Sequence, residues 1–213
     1  MSNGNGRIYT DHEVTLLPFI SSDHPYYAEW KVREHSTRRL LKQIQNVGSS
    51  VNILEVGCGN GWLAARLANI TSGEVTGIDI NMQELRQAKR VFAGLNNLDF
   101  VTTDISNGLL PDKQFDIIVF AASIQCFSSL RYLIKTAMKN LTLMGQIHIL
   151  DSPILKGKNV PEKKETMADH YIHHIAGLES FQYKIIYDPA AWNNKLFAKR
   201  DPFCHIVIKN HYH

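Results

Sequence analysis

No run in this sequence stays apolar over the ~18 residues that a membrane-crossing helix requires, so no helical span is expected. Cysteine is scarce. Cys58, Cys126 and Cys204 are odd in number, far apart and without a C-x-x-C pair, which argues against a disulfide framework and against a cysteine-built zinc site. A large charge of one sign is also missing: 23 Lys and Arg face 20 Asp and Glu, for a formal charge of +3. The basic residues are scattered, and neither a nucleic-acid track nor a membrane-binding face is expected. There is no internal repeat and no low-complexity tract beyond Met1 to Gly6, and that stretch lacks the charged and apolar regions of a signal peptide, making the cytoplasm the expected location. What remains is ordinary. A chain of 213 residues, 44% hydrophobic and 20% charged, is the size of one α/β domain, which buries about 70% of its unfolded surface. Such a composition leaves a small molecule as the simplest substrate class.

One stretch organises the rest. Asn52-Ile53-Leu54-Glu55-Val56 is a short apolar run ending near an acid. It breaks into Gly57, Gly59 and Gly61 at alternate positions and resumes as an apolar helical pattern from Trp62. That is a strand, a tight turn and a helix start, where glycines permit positive φ and let a ligand lie against bare main chain. Gly59-Asn60-Gly61-Trp62-Leu63-Ala64 matches G-x-G-x-x-A, a dinucleotide fingerprint that places a pyrophosphate on the helix N-terminus. Glu55 argues otherwise, since a carboxylate repels a pyrophosphate and attracts an ammonium.

From Val51 onward strand and helix patterns alternate, predicting a parallel sheet with helices on both faces. Strands are expected at Val51 to Val56, Glu74 to Ile80, Leu98 to Thr102, Phe115 to Ala121, Gly145 to Leu150, Phe181 to Tyr187 and Cys204 to Ile208. Helices are expected from Gly61 to Asn69, from Asn81 to about Phe92 with Glu84 in a capping box, and after Ser128 or Ser129. Ahead of the sheet, Trp30, Arg33, Thr37, Leu40, Leu41 and Ile44 recur at helical spacing, with Pro25 suited to the first helical position and Gly48 as the stop. This helix either covers one side of the sheet with Arg33 at its rim, or lies over a bound cofactor with Tyr27, Trp30 and Arg33 touching it. The division expected is a tail and covering helix over residues 1–50 and a binding domain over 51–213, with a longer, more polar insertion at about 153–180 as a lid.

Read from Glu55, the turn is E-x-G-x-G-x-G and resembles motif I of the class I S-adenosylmethionine (SAM)-dependent methyltransferases. Three further features recur in that family's order. Asp79 ends the second strand about 20 residues beyond the glycines, where an acid accepts from the two ribose hydroxyls. Asp104 and Ile105 end the third strand, where the resemblance implies contacts to the adenine amino group and ring, with Ile80 packed on the adenine face. Ala121 to Phe127 leaves the fourth strand, where the family's backbone meets the methionine end and the substrate. Bland alternatives stand beside these: Asp79 as a cap for the next helix and Asp104 as a turn former.

The resemblance implies a Rossmann-like three-layer α/β sandwich, its seven-stranded sheet mostly parallel with the last strand antiparallel. It also implies SAM as cofactor, held by Glu55, Gly57, Cys58, Gly59, Gly61, Asp79, Ile80, Asp104, Ile105 and Ala121. Trp30, Arg33, Ser123, Gln125 and Asp151 are the expected substrate-side residues. No catalytic residue is assigned. His170, His173 and His174 share i, i+3, i+4 spacing and are candidates for a base or substrate contact, with plain surface packing as the alternative; no acid or cysteine near them completes a metal set. His148, inside a strand, reads as a core histidine. The rival readings are an NAD-dependent oxidoreductase, which lacks a Tyr-x-x-x-Lys pair here, and a SAM-binding subunit without catalysis. A small-molecule acceptor is expected because Ala122-Ser123-Ile124-Gln125 replaces the Asn/Asp-Pro-Pro-aromatic turn typical of enzymes of this fold that methylate base amines.

Overall fold

The computed structural model describes residues 7–105, 110, 113–152, 178, 181–187 and 203–210. Its seven strands are β1 (Ile53–Val56), β2 (Val75–Asp79), β3 (Leu98–Thr102), β4 (Phe115–Ala121), β5 (Leu141–Leu150), β6 (Tyr183–Tyr187) and β7 (His205–Lys209). The helices are α1 (Asp11–Leu16), α2 (Tyr27–Gln45), α3 (Trp62–Ala68), α4 (Met82–Val91) and α5 (Leu130–Lys139). One sheet carries all seven strands in the order β3-β2-β1-β4-β5-β7-β6. Pairing is parallel from β3 through β5, and β7 runs antiparallel to both β5 and β6. This is the three-layer arrangement expected, with the last strand reversed.

The central strands are buried on both faces, so they read as continuous apolar runs and their alternate residues feed two cores. Ile117 and Val119 of β4 join Trp30, Leu40, Leu63, Leu67 and Leu85 from α2, α3 and α4. Ile118 and Phe120 point the other way, into Leu130, Leu133 and Ile134 of α5 and Ile147, Ile206 and Ile208 of the neighbouring strands. Strand order reverses at β1, with β2 on one side and β4 on the other, so a crevice opens beyond the carboxyl ends of β1 and β4.

Several element boundaries differ from the sequence reading. Residues 10–17 are no loose tail: Thr10 and Glu13 form a reciprocal capping box at the start of α1, and Val14 and Leu17 are fully buried. α2 begins at Tyr27, not at Pro25, because His24 supplies the stop: its ring Nδ1 accepts from the Tyr26 N–H and its carbonyl from the Tyr27 N–H. β5 starts four residues early, at Leu141, and slips register against β4 between Phe115 and Ile117. Gly145 makes that irregularity possible, since a Cβ there would fall 2.5 Å from Leu141 Cγ. Ser129 is the α5 cap, and Asn81 caps α4 through the Gln83 and Glu84 N–H groups. His170, His173, His174 and the insertion at about 153–180 lie outside the described residues, Leu178 apart.

Candidate cofactor cleft

The glycine turn is built as its sequence requires, and each glycine has its own physical reason. All three have positive φ: 77° at Gly57, 52° at Gly59 and 76° at Gly61. A Cβ on Gly57 would fall 2.6 Å from Ser123 Cβ, and one on Gly59 would fall 2.6 Å from Glu84 Oε2. At Gly61, the N-cap of α3, a Cβ would meet the Phe100 ring at 2.5 Å. Gly61 therefore serves helix-to-sheet packing, and it does not line the cleft.

The N–H groups of the turn are mostly spent on the protein itself. Gly57 and Cys58 both donate to the Ile78 carbonyl, Gly61 donates to Cys58, and Gly59 donates to Asp79 Oδ2 at 2.9 Å. The helix start behind them is capped by Glu55, whose carboxylate accepts from the Ala64 N–H. An anion would thus find occupied donors and three acidic side chains, Glu55, Asp79 and Glu84, around the turn, with no cation among the described residues paired to them. That disfavours a pyrophosphate and with it the dinucleotide reading.

Glu55 is the unusual member. It is 3% exposed, and its Oε2 has no hydrogen-bond partner among the described residues. Burial, opposed by the Ala64 N–H and reinforced by Asp79, pushes its pKa up to about 8. A cationic group arriving here would meet a site whose second oxygen is uncommitted. Burial also raises Glu84 and, with help from Glu55 and Asp79, the Cys58 thiol well above its ordinary value, so Cys58 is an inert packing thiol.

Around this turn lies a cleft of about 1370 Å³, larger than the ~300–1,000 Å³ of most single-ligand pockets and roomy enough for a cofactor and an acceptor together. Glu55, Gly57, Cys58, Gly59, Asp79, Ile80, Asp104, Ile105, Ala121 and Ser123 line it, as do Trp30 and Arg33 of α2. Residues far apart in the chain, from Trp30 to Ser123, therefore meet at one place. Gly61, Gln125 and Asp151 do not line it. The Gln125 amide turns back to the Ala122 carbonyl, and Asp151 is buried beyond β5 with φ 52°.

Local geometry explains several placements. Asp79 Oδ1 accepts from the Asn81 N–H at 2.8 Å, so this strand-end acid both braces the turn and keeps lone pairs directed at the cleft. Ile80 is 53% exposed at the mouth, an apolar surface on which a flat ring can rest. The Ser123 hydroxyl donates to the Val56 carbonyl at 2.7 Å, stitching the β4 exit to the β1 exit. Ala122 just before it holds φ 52° and donates its N–H to Leu150. Trp30 stands edge-on to Trp62 with centroids 5.3 Å apart, and its Nε1–H donates to the Tyr9 hydroxyl. Arg33 sits over the Trp30 ring and pairs with Glu29 at 3.4 Å.

The sequence reading missed a strap, ahead of and including the start of α1, that lines the cleft. Arg7, Ile8, Tyr9 and Asp11 all line the cleft. Gln87 of α4 donates to the Tyr9 carbonyl, Arg90 holds Asp11 with two bonds of 2.7 Å, and Arg66 of α3 clasps the Thr15 and Leu17 carbonyls. The signal for α1 was present as Thr10-x-x-Glu13; the clasps join residues about 50 to 80 positions apart and left no local trace.

An open, mostly parallel α/β sheet whose switch point carries a glycine turn, a strand-end acid and an uncommitted buried carboxylate defines a nucleoside-cofactor protein of the Rossmann-like class. Comparison with known proteins narrows this. The profile of a methyltransferase-domain family matches residues 53–145. A protein-L-isoaspartate O-methyltransferase from Pyrococcus horikoshii is 32% identical over 113 residues, covering 52% of this chain and 51% of its own length. The ubiquinone/menaquinone biosynthesis C-methyltransferase UbiE of Rickettsia bellii is 29% identical over 177 residues, covering 79% of this chain and 70% of its own. The chain thus spans about half of the first relative and more of the second. A SAM-dependent methyltransferase from Aquifex aeolicus shares the fold at TM-score 0.60 and 17% identity, over 95% of this chain and 98% of that one. Over residues 53–145 the chain is similar to a methyltransferase-domain family, and it shares the fold of a SAM-dependent methyltransferase.

Proposed function

We propose that the protein transfers a methyl group from SAM to a small-molecule acceptor by direct displacement. The observation that carries this reading is the buried Glu55 carboxyl, its Oε2 uncommitted, beside glycines that tolerate no side chain, a pairing that suits an ammonium lying against bare backbone. When bound, the cofactor supplies a methyl group on a sulfonium, a good leaving group that makes a covalent enzyme intermediate unnecessary. The chain's own part is to hold, orient and dry the site. Glu55 attracts the ammonium, Asp79 takes the ribose, Ile80 and Ile105 bracket the adenine, and the strap with α2 limits water, an orientation effect that can supply about 7 kcal/mol or more.

By their names one relative is a protein-L-isoaspartate O-methyltransferase and the other a C-methyltransferase of ubiquinone/menaquinone biosynthesis, so similarity to both does not select the acceptor. Coverage of this chain is greater for the second, which favours a small molecule, as do the balanced charge and a cleft lined by the strap and α2. On this reading Ser123 and Phe127 face the acceptor, and Gln125 and Asp151 support the strand exits behind it. His170, His173 and His174, outside the described residues, remain the candidates for a base if the acceptor is a hydroxyl. The reading keeps residues 1–50 as the covering segment and 51–213 as the methyltransferase domain, working in the cytoplasm; among the described residues no helix is long and apolar enough to cross a membrane.

Calorimetry should show SAM and its demethylated product S-adenosylhomocysteine (SAH) binding while NAD does not. Incubation with methyl-labelled SAM and fractionated cell extract should then place label in the small-molecule fraction. Label confined to macromolecules would refute the acceptor class, and NAD binding without SAM binding would refute the cofactor.

A further inference from the structure

Glu84 is unused in the reading above, although its spacing from Asn81 qualified it for a capping box. Asn81 caps α4 alone, and the Glu84 side chain turns instead toward the glycine turn, its Oε2 lying over the bare face of Gly59. It is half-buried, lines the same cleft as Asp79, and makes no hydrogen bond or ion pair with any described residue.

Asp79, for its part, is already committed on both oxygens, Oδ2 to the Gly59 N–H and Oδ1 to the Asn81 N–H. Each keeps about one further lone-pair site. Two carboxylates near enough for the Asp79 charge to bear on Glu84, with no cation between them among the described residues, offer only acceptors. Such a pair is unfavourable until something with two donors comes between them, and a vicinal diol presents two O–H donors at adjacent carbons.

We propose that Glu84 is a second ribose-binding carboxylate, sharing the cofactor's vicinal hydroxyls with Asp79. The division of labour follows from hydrogen-bond capacity. Asp79 braces the turn and takes one hydroxyl with its remaining capacity, and Glu84, uncommitted, takes the other. The proposal rests on the cofactor assignment made above, and its test separates the two.

The test is a cycle between residue and ligand. SAH and its 2′-deoxy and 3′-deoxy analogues are titrated by calorimetry into the wild-type protein and into Glu84→Ala and the isosteric Glu84→Gln, with circular dichroism as a control of folding. Glu84→Ala should weaken SAH by about ten- to a hundredfold, the range for a hydrogen bond to a charged group, and Glu84→Gln by less. The loss should shrink to about threefold or less for the analogue lacking the hydroxyl that Glu84 holds. Equal losses for all three ligands would mean that Glu84 acts through the turn or the helix, and unchanged or tighter SAH binding would mean that it only repels Asp79. Either result overturns the proposal and leaves the cofactor assignment standing. Failure of the wild-type protein to bind SAH would overturn both.

Discussion

On the proposed reading, Glu55 couples cofactor binding to protons. Its pKa in the ligand-free fold, about 8, stands above the ordinary 4.5, so its contribution to stability is fully present below pH 4.5 and is lost as pH rises through 8. An ammonium beside Oε2 reverses the preference and favours the ionised form. At pH 7 SAM binding should therefore release up to about one proton, and affinity should rise with pH to a maximum near 8, then fall as the free α-amino group, with a pKa of about 8, loses its proton. Titrations in phosphate and in Tris should give different apparent enthalpies in the wild-type protein and the same enthalpy in Glu55→Gln; identical wild-type values would count against the arrangement. Gly61 makes a second prediction at this scale. Gly61→Ala adds a Cβ 2.5 Å from the Phe100 ring at φ 76°, so overpacking and left-handed strain together should cost about 2–4 kcal/mol by urea denaturation. Gly94→Ala, with nothing within 4 Å, should change stability by less than about 1 kcal/mol.

Among the elements, α1 and the strap before it are the part that local rules read least well. A six-residue helix cannot stand alone, and its stability comes from burying Val14 and Leu17 and from clasps supplied by Arg66, Gln87 and Arg90. The Arg90 guanidinium and the Gln87 amide hold the Asp11 carboxyl down at about 2, so the clasp persists across the ordinary pH range. Both partners of the Asp11–Arg90 pair are solvent-exposed, and salt should weaken it. Amide exchange over residues 8–17 should accelerate in Arg90→Ala and in high salt, and should slow when SAM binds. Exchange in these residues that ignores both the variant and the cofactor would show that the strap does not belong to the site. By contrast α4 and β3 were legible almost to the residue, because Asn81 is a side-chain cap and Leu98 to Thr102 is bounded by turn residues.

Across the whole molecule, the sheet's far end depends on one buried polar contact. His148 of β5 and His205 of β7 are both fully buried, with Nδ1 of the first 3.0 Å from Nε2 of the second. The sequence reading of His148 as a core histidine agrees with its burial, and its partner came from a strand 57 residues away. Burial lowers the His148 pKa to about 4 and carries His205 well below its ordinary value, with His148 itself and Arg39 of α2 adding to the effect; the Tyr187 ring under Arg39 closes that side. A folded pKa below the unfolded 6.5 means that stability is complete above pH 6.5 and is lost as pH falls toward 4, by about 3 kcal/mol from His148 alone. Denaturation midpoints should fall between pH 6.5 and 4.5, and the fall should be smaller in His148→Gln; a drop of equal size in the variant would assign the acid sensitivity elsewhere.

Patterns confined to a few neighbouring residues were enough for the alternation of strands and helices, the glycine turn, Asp79 and Asp104 at their strand ends and the order of those features along the chain. Periodicity, caps and turn chemistry act over a single helical turn or strand, and they survive in the sequence as spacing. The tertiary structure alone decided which glycines line the cleft and which faces Phe100, and that Ser123 is tied to Val56 while Gln125 turns away from the cleft. It decided likewise that Glu84 lies over Gly59 instead of closing a capping box, and that Glu55 is dry enough to hold its proton. Those outcomes depend on burial and on close contacts between residues far apart in the chain, and a residue's own letter records neither what will surround it nor how much water will remain.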